Sequence, residues 1–232
     1  MCTKSQTLLS FILVIVLAAL SACAPVTDAP STAPEETSLP QEPVSVAPVA
    51  PLDGRLLIPY DKDDSLNPYQ ATSALNLALH SLVYDSLVKL DNDFTPVMSL
   101  ASDIDIDGTR CTVTIKNGIH FSDGTPLTAM DVRYSIDCIR LSSSVYANRL
   151  SNIAGYSVQD EHTLVITLSS PDSLFVNLLD FPVIQSGTYS SDRPVGNGRY
   201  VYDGEPNELD GGEIRLTAND QWHGDDIETF KE

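Results

Sequence analysis

Apolar and polar positions along this chain repeat with two periods, and the switches between them mark its elements. Leu75, Leu79, Leu82, Val83 and Leu87 recur at helical spacing in DSLNPYQATSALNLALHSLVYDSLVKL, residues 64–90, and predict a helix with one apolar face. Alternation takes over in SDIDIDGTRCTVTIKNGIHF, residues 102–121. Cys111, Val113 and Ile115 line one side of a strand, and Asp107-Gly108 and Asn117-Gly118 are turns, so this is a hairpin region. Helical spacing returns at Val132, Ile136 and Ile139. HTLVITLSSP, residues 162–171, alternates again through Leu164, Ile166 and Leu168. DSLFVNLLDFPVI predicts a short helix ending near Pro182, PVGNGRYVY a glycine-rich turn into a strand, and GGEIRLTAND a further strand. LLIPY, residues 56–60, is a short apolar run suited to a first buried strand. Helices mixed with short strands, and no internal repeat, indicate an α/β or α+β domain.

The most sharply specified stretch is FSDGTPLTAMDVRYSI, Phe121 to Ile136. Asp123-Gly124 is a turn signal, because glycine tolerates positive φ and aspartate bonds its own backbone neighbours. Thr128 and Asp131 have the spacing of a capping box, and Leu127 and Val132 sit at the staple positions around it. A tight polar turn therefore abuts a helix start.

Composition adds a targeting region and a tether. Lys4 precedes LLSFILVIVLAAL, a 13-residue apolar core too short to span a bilayer, and LSAC ends at Cys23. That ending resembles the lipobox of bacterial lipoproteins, in which the cysteine is diacylated and becomes the mature N-terminus. The alternative is an ordinary signal peptide cut near Ala22. Lipidation at Cys23 would anchor the protein to a membrane without spanning it. Residues 24–51 hold seven of the fifteen prolines, four acidic residues and no Lys or Arg, which suits an extended tether. The expected division is thus 1–22 signal, 23–51 anchor and tether, and a globular part from Leu52.

The net charge of −19 disfavours nucleic acid and anionic lipid headgroups as partners. Cys111 and Cys138 remain in the globular part, with a disulfide and two buried thiols equally open. DIDIDG, Asp103 to Gly108, imitates the opening of a calcium loop, but Thr114 holds the twelfth position where a glutamate is needed, so a hairpin turn is the better reading. His80, His120, His162 and His223 lack metal-ligand spacing and are expected to be surface or hydrogen-bonded packing residues. No metal or cofactor is expected. No nucleophile elbow, Cys/His motif or phosphate loop supports an enzyme.

FSDGTPLTAMDVRYSI resembles the signature of the family 5 extracytoplasmic solute-binding proteins, the oligopeptide- and dipeptide-binding lipoproteins of ABC importers. Phe121, Asp123, Gly124, Pro126, Thr128, Ala129, Asp131, Val132, Tyr134 and Ser135 carry the match. SLNPYQATSALNLALHSLVYDSLVKLDNDFTPVMSLASDI, HTLVITLSSP, PVGNGRY and NDQWHG resemble further family segments in the family's order, across residues 52–224. Asn197 and Arg199 depart from the usual Thr and Pro of the glycine turn, a change expected to loosen it without moving it.

The resemblance implies a type II periplasmic-binding-protein clamshell, of which this chain carries the first lobe (52–84 and 180–232) and its extra sub-domain (85–179). The chain stops at Glu232, where family members continue into a second lobe, so a fragment or a truncated relative is expected. The implied function is non-covalent capture of extended di- and oligopeptides for delivery to a permease. The first-lobe ligand face maps to Thr72, Ala74 and Tyr146. Tyr146 would stack on or hydrogen-bond a peptide or else cover the sub-domain, and Thr72 would meet ligand or else cap a helix. The alternatives are a half-clamshell acting as an interaction or sensor module, and a binder of a nickel chelate, haem, sugar or opine.

Overall fold

A computed structural model describes residues 58–204 and 214–224. The signal, Cys23, the tether and the first two residues of LLIPY lie outside the described residues. Residues 58–60 of that run are not a strand; Ile58 is exposed.

Helix α1 (Ala74–Val83) is capped by Ser73, whose hydroxyl accepts the Asn76 N–H at 3.2 Å. Thr72 is therefore not the cap. The helix is shorter than its periodicity predicts, and its buried face is Asn76, Leu79, His80 and Val83. Leu75 is exposed and Leu87 lies beyond the helix, where it is fully buried. Asn76 occupies an inward position because its amide ties down the preceding loop.

A two-stranded hairpin follows, β1 (Val88–Leu90) with β2 (Pro96–Met98). Strands β3 (Ala101–Asp107), β4 (Arg110–Ile115), β5 (Ile153–Val158) and β6 (Thr163–Leu168) form an antiparallel sheet in the order β3-β4-β6-β5. Asp107 pairs with Arg110 around the turn at Gly108, whose φ of 60° explains the glycine. On the central strands, Cys111 pairs with Ile166 and Val113 with Leu164, all fully buried. The expected alternation of β4 and β6 is thus the core face. The residues of DIDIDG lie on edge strand β3 and its turn, with Asp103, Asp105 and Asp107 exposed between Ile104 and Ile106. Outward carboxylates on an edge discourage further strand pairing.

Helix α2 (Ala129–Leu141) covers the sheet through Val132, Ile136 and Ile139, all at 0% exposure. The carboxylate of Asp131 accepts the Thr128 N–H and hydroxyl, each at 2.9 Å, and its other oxygen accepts the Ser186 N–H at 3.0 Å. Leu127 and Val132 are both buried, as a staple requires. The polar turn before α2 is fixed by Thr125 N–H on Asp123 at 2.9 Å and by Gly124 at φ 84°. Ser122 N–H then reaches the Gly196 carbonyl at 2.9 Å, and the Gln185 amide reaches Asp123 at 2.8 Å. Turn and cap each hold the 184–196 segment, which explains why they are adjacent.

The predicted helix before Pro182 is only a 3-10 turn, Phe175–Leu178, anchored by the buried Phe175. Strands β7 (Tyr200–Asp203) and β8 (Arg215–Ala218) form the last antiparallel pair. Cys111 and Cys138 are both buried free thiols.

Candidate ligand-binding face

The loop before α1 is built by two buried asparagines. Asn76 accepts the Asp61 N–H at 2.8 Å and donates to the carbonyls of Asp61 (2.9 Å) and Ser65 (3.0 Å). Asn67 donates to the carbonyls of Tyr189 (2.8 Å) and Ser191 (2.9 Å) and accepts the Tyr69 N–H. A buried amide satisfied on both ends fixes a loop more firmly than apolar contact, because each lost bond leaves a dry polar group.

This frame presents Thr72 and Ala74, both exposed, at the start of α1. Thr72 is held by Asp64, whose carboxylate accepts the Thr72 N–H (2.9 Å), the Thr72 hydroxyl (3.2 Å) and the Ser73 N–H (2.8 Å). Slight burial pushes the Asp64 carboxyl up, but these backbone donors outweigh it and hold the group below the usual carboxylate range. Both donors of Thr72 are thus turned to its own loop, and its exposed hydroxyl oxygen keeps its capacity to accept.

Tyr146 lies in the loop after α2, half-buried, with its N–H on the Ser144 hydroxyl at 3.0 Å. The Arg149 guanidinium sits 5.6 Å from its ring centroid and is itself fixed by the Asn177 carbonyl (3.3 Å) and the Asp180 carboxylate. Burial pushes the Tyr146 phenol up, Asp180 adds to this and Arg149 opposes it, so the O–H keeps its proton at neutral pH. An apolar ring with a protonated hydroxyl suits stacking on a peptide. Thr72 and Ala74 therefore come together through Asp64 and Ser73, while the contacts described for Tyr146 are a separate set. Sequence reading missed Asp64, Arg149 and Asp180; each acts through spacing that only the folded chain defines.

A second cluster joins the segments that carried the resemblance. The Asp85 carboxylate, 2% exposed, accepts Lys89 Nζ (2.6 Å) and Trp222 Nε1–H (2.9 Å) and lies 3.2 Å from His223 Nε2. Its burial alone would raise its pKa; the His223, Lys89 and Trp222 contacts outweigh that and hold it low. The Asp85 N–H donates to Asn197 at 2.7 Å, and Asn197 donates to the Val183 carbonyl at 3.2 Å. Gly196 and Gly198 press on the end of α1, where an added Cβ would lie 2.3 Å from the Val83 carbonyl oxygen or 2.5 Å from its carbon. Asn197 is fully buried, and Arg199 stacks 4.4 Å from the Trp222 ring centroid. The substitutions expected to loosen this turn instead bond it to its neighbours.

His80 departs from expectation differently: it is 1% exposed, and its ring nitrogens lack a well-formed hydrogen bond, with the Leu66 backbone making only a weak one. Among the described residues, no group of three or more His, Cys, Asp or Glu is placed to hold a metal, and no helix is long and apolar enough to cross a membrane.

Residues 94–232 match the family described as bacterial extracellular solute-binding proteins, family 5 middle. The chain belongs to this family. It is 32% identical over 149 residues to the glutathione-binding protein GsiB of Salmonella choleraesuis (strain SC-B67), covering 59% of this chain and 29% of that protein. GsiB of Shigella flexneri matches at 32% over 156 residues, 60% of this chain and 30% of that one. The chain thus spans about 30% of the length of these curated relatives. Among solved structures, the fold resembles NikZ from Campylobacter jejuni in complex with Ni(L-His), with TM-score 0.60, 20% identity, and coverage of 70% and 35% of the two chains. It also resembles MppA, a periplasmic murein tripeptide binding protein, with TM-score 0.61, 23% identity, and coverage of 69% and 37%. These are type II periplasmic-binding-protein folds, and this family 5 chain corresponds to part of one.

Proposed function

We propose that this family 5 chain is the N-terminal portion of the substrate-binding lipoprotein of an ABC importer, anchored outside the cytoplasm through lipid on Cys23. It captures extended di- or oligopeptides non-covalently between two lobes and passes them to a membrane permease. The observation that carries this reading is the family match over residues 94–232. Relatives named for glutathione, itself a tripeptide, and for a murein tripeptide support a peptide over the nickel chelates and opines of other neighbours. Segments 52–84 and 180–232 form the first lobe and 85–179 the sub-domain; the sheet β3-β4-β6-β5 and α2 lie wholly within the latter.

Thr72, Ala74 and Tyr146 are the proposed first-lobe ligand contacts. Thr72, with both donors held by Asp64, offers its oxygen to a peptide N–H, and Tyr146 offers ring and hydroxyl. The test combines mass spectrometry of the mature protein from its native cells with calorimetry against a panel of short peptides. A diacylated Cys23 and peptide binding that falls at least about tenfold in Tyr146→Ala are expected. An unmodified Cys23 refutes the anchor, and a Tyr146→Ala protein that binds as wild type refutes the site.

A further inference from the structure

His80 lies on the buried face of α1, and its two sides are held in different ways. On one side its ring meets Tyr84 edge-on at 5.8 Å, and the Tyr84 hydroxyl is fixed on the Pro194 carbonyl at 2.9 Å. On the other side stands the Leu66 backbone, which makes only a weak bond to the ring. The chain leading to Leu66 has no apolar anchor, since residues 61–65 are exposed or half-buried. Polar ties alone hold it down. Asn76 binds Asp61 and Ser65, the Asp64 carboxylate binds the Thr72 and Ser73 N–H groups, and the Ser65 hydroxyl reaches Asp192 at 3.2 Å. Just beyond, Tyr69 is 1% exposed and bonds the Pro182 carbonyl, so the chain is firmly anchored there.

The charged groups facing His80 are Asp64 on this segment and Asp192 on the turn before β7. Both favour an imidazolium, yet burial outweighs them and keeps the ring neutral. Arg193, on the same turn as Asp192, is directed to the Gly204 carbonyl at 3.0 Å and lies 5.1 Å from the Tyr202 ring centroid. A proton on His80 is therefore best accommodated by water. The least anchored cover over the ring is the polar-tied segment, so that is where water enters. Lifting it also takes the Asp64 carboxylate away from Thr72.

We propose that residues 61–66 form an acid-released clasp over His80, so that protonation of this ring lifts the clasp and unfastens Thr72. The consequence for ligand capture rests on the Thr72 assignment above; the release itself does not. Hydrogen exchange of the intact native protein, followed by mass spectrometry and corrected for intrinsic rates, tests it. With the ring titrating near 6.5 when open and about 4 when closed, the opening constant of residues 61–73 rises about twentyfold from pH 7 to pH 5. In His80→Leu it stays constant. Asp64 does not contribute in this window, because its carboxyl is held below the usual range. Strand β4 is the internal reference and exchanges more slowly than the clasp at both pH values. The same pH ratio in wild type and His80→Leu overturns the clasp. So does exchange of residues 61–73 in step with β4, which makes the event global unfolding. An independent check needs no variant: in the native wild type the His80 ring-proton resonance keeps its neutral position at pH 5, and titration near 6.5 overturns the proposal. A short peptide that binds by calorimetry yet leaves residues 61–73 unprotected refutes Thr72 as a ligand contact and leaves the clasp standing.

Discussion

His80 gives the sharpest quantitative consequence of this fold. Burial lowers its pKa from 6.5 to about 4, opposed first by the Leu66 backbone and then by Asp64 and Asp192, and its ring lies edge-on to Tyr84 at 5.8 Å. The unfolded chain takes up a proton near 6.5, while the native state resists it until about 4. The His80 contribution to stability is therefore fully present above pH 6.5, falls as pH drops through that window, and levels off below about 4. The full difference is about 3 kcal/mol at about 1.4 kcal/mol per pH unit, of which about 2 kcal/mol is lost by about pH 5. His80→Leu removes the titration and two unsatisfied polar atoms, worth about 1–3 kcal/mol, at the loss of an aromatic edge contact worth about 0.5–1.5 kcal/mol. Urea denaturation followed by circular dichroism, at pH 7 and pH 5, measures both proteins. The variant is at least as stable at neutral pH, and its advantage grows by about 2 kcal/mol at the lower pH. The rest of the chain is identical in the two proteins, so its contributions cancel in the difference. A constant gap between the two pH values refutes the reasoning, because it means His80 ionises as freely in the fold as outside it.

Three further outcomes follow from particular contacts. Gly198→Ala places a Cβ 2.5 Å from the Val83 backbone carbon, which has no flexible end to yield, and is expected to cost about 1–3 kcal/mol in thermal denaturation; an unchanged melting temperature refutes the close approach. Asp85→Asn weakens the hold on Lys89, Trp222 and His223 and should destabilise by about 2 kcal/mol. It should also shift the emission of Trp222, the single tryptophan. In wild type the same loss sets in as pH falls through the lowered Asp85 pKa, below 3.8, and emission that ignores both the substitution and acid refutes the contact. Cys111, whose thiol burial pushes up to about 11, and Cys138 should resist maleimide until denaturant is added; rapid labelling of the native protein contradicts their burial.

The amino-acid sequence by itself determined the elements whose signals are local. The Asp123-Gly124 turn, the Thr128–Asp131 cap, the Val132, Ile136 and Ile139 stripe and the β4 and β6 alternation were all legible, because each depends on neighbours within about one or two turns of chain. The family was legible too, from segments whose order survives in one dimension. Tertiary structure decided the rest. It ended α1 at Val83 and set Asn76 and His80 inward, because burial there follows what packs on the helix and which loop must be tied. Where the period alone spoke, Leu75 and Leu87 looked equivalent; one is exposed and the other is core. Asn197 read as a defect in a glycine turn until Asp85, 112 positions away, proved to be its partner. The candidate face divides the same way. Thr72 and Tyr146 were named from resemblance, but Asp64, which fixes Thr72, and Arg149 with Asp180, which fix the surroundings of Tyr146, required coordinates. Hydrogen bonds between distant segments leave no periodic trace, since a polar residue carries the same letter whether its partner is water or a buried carboxylate.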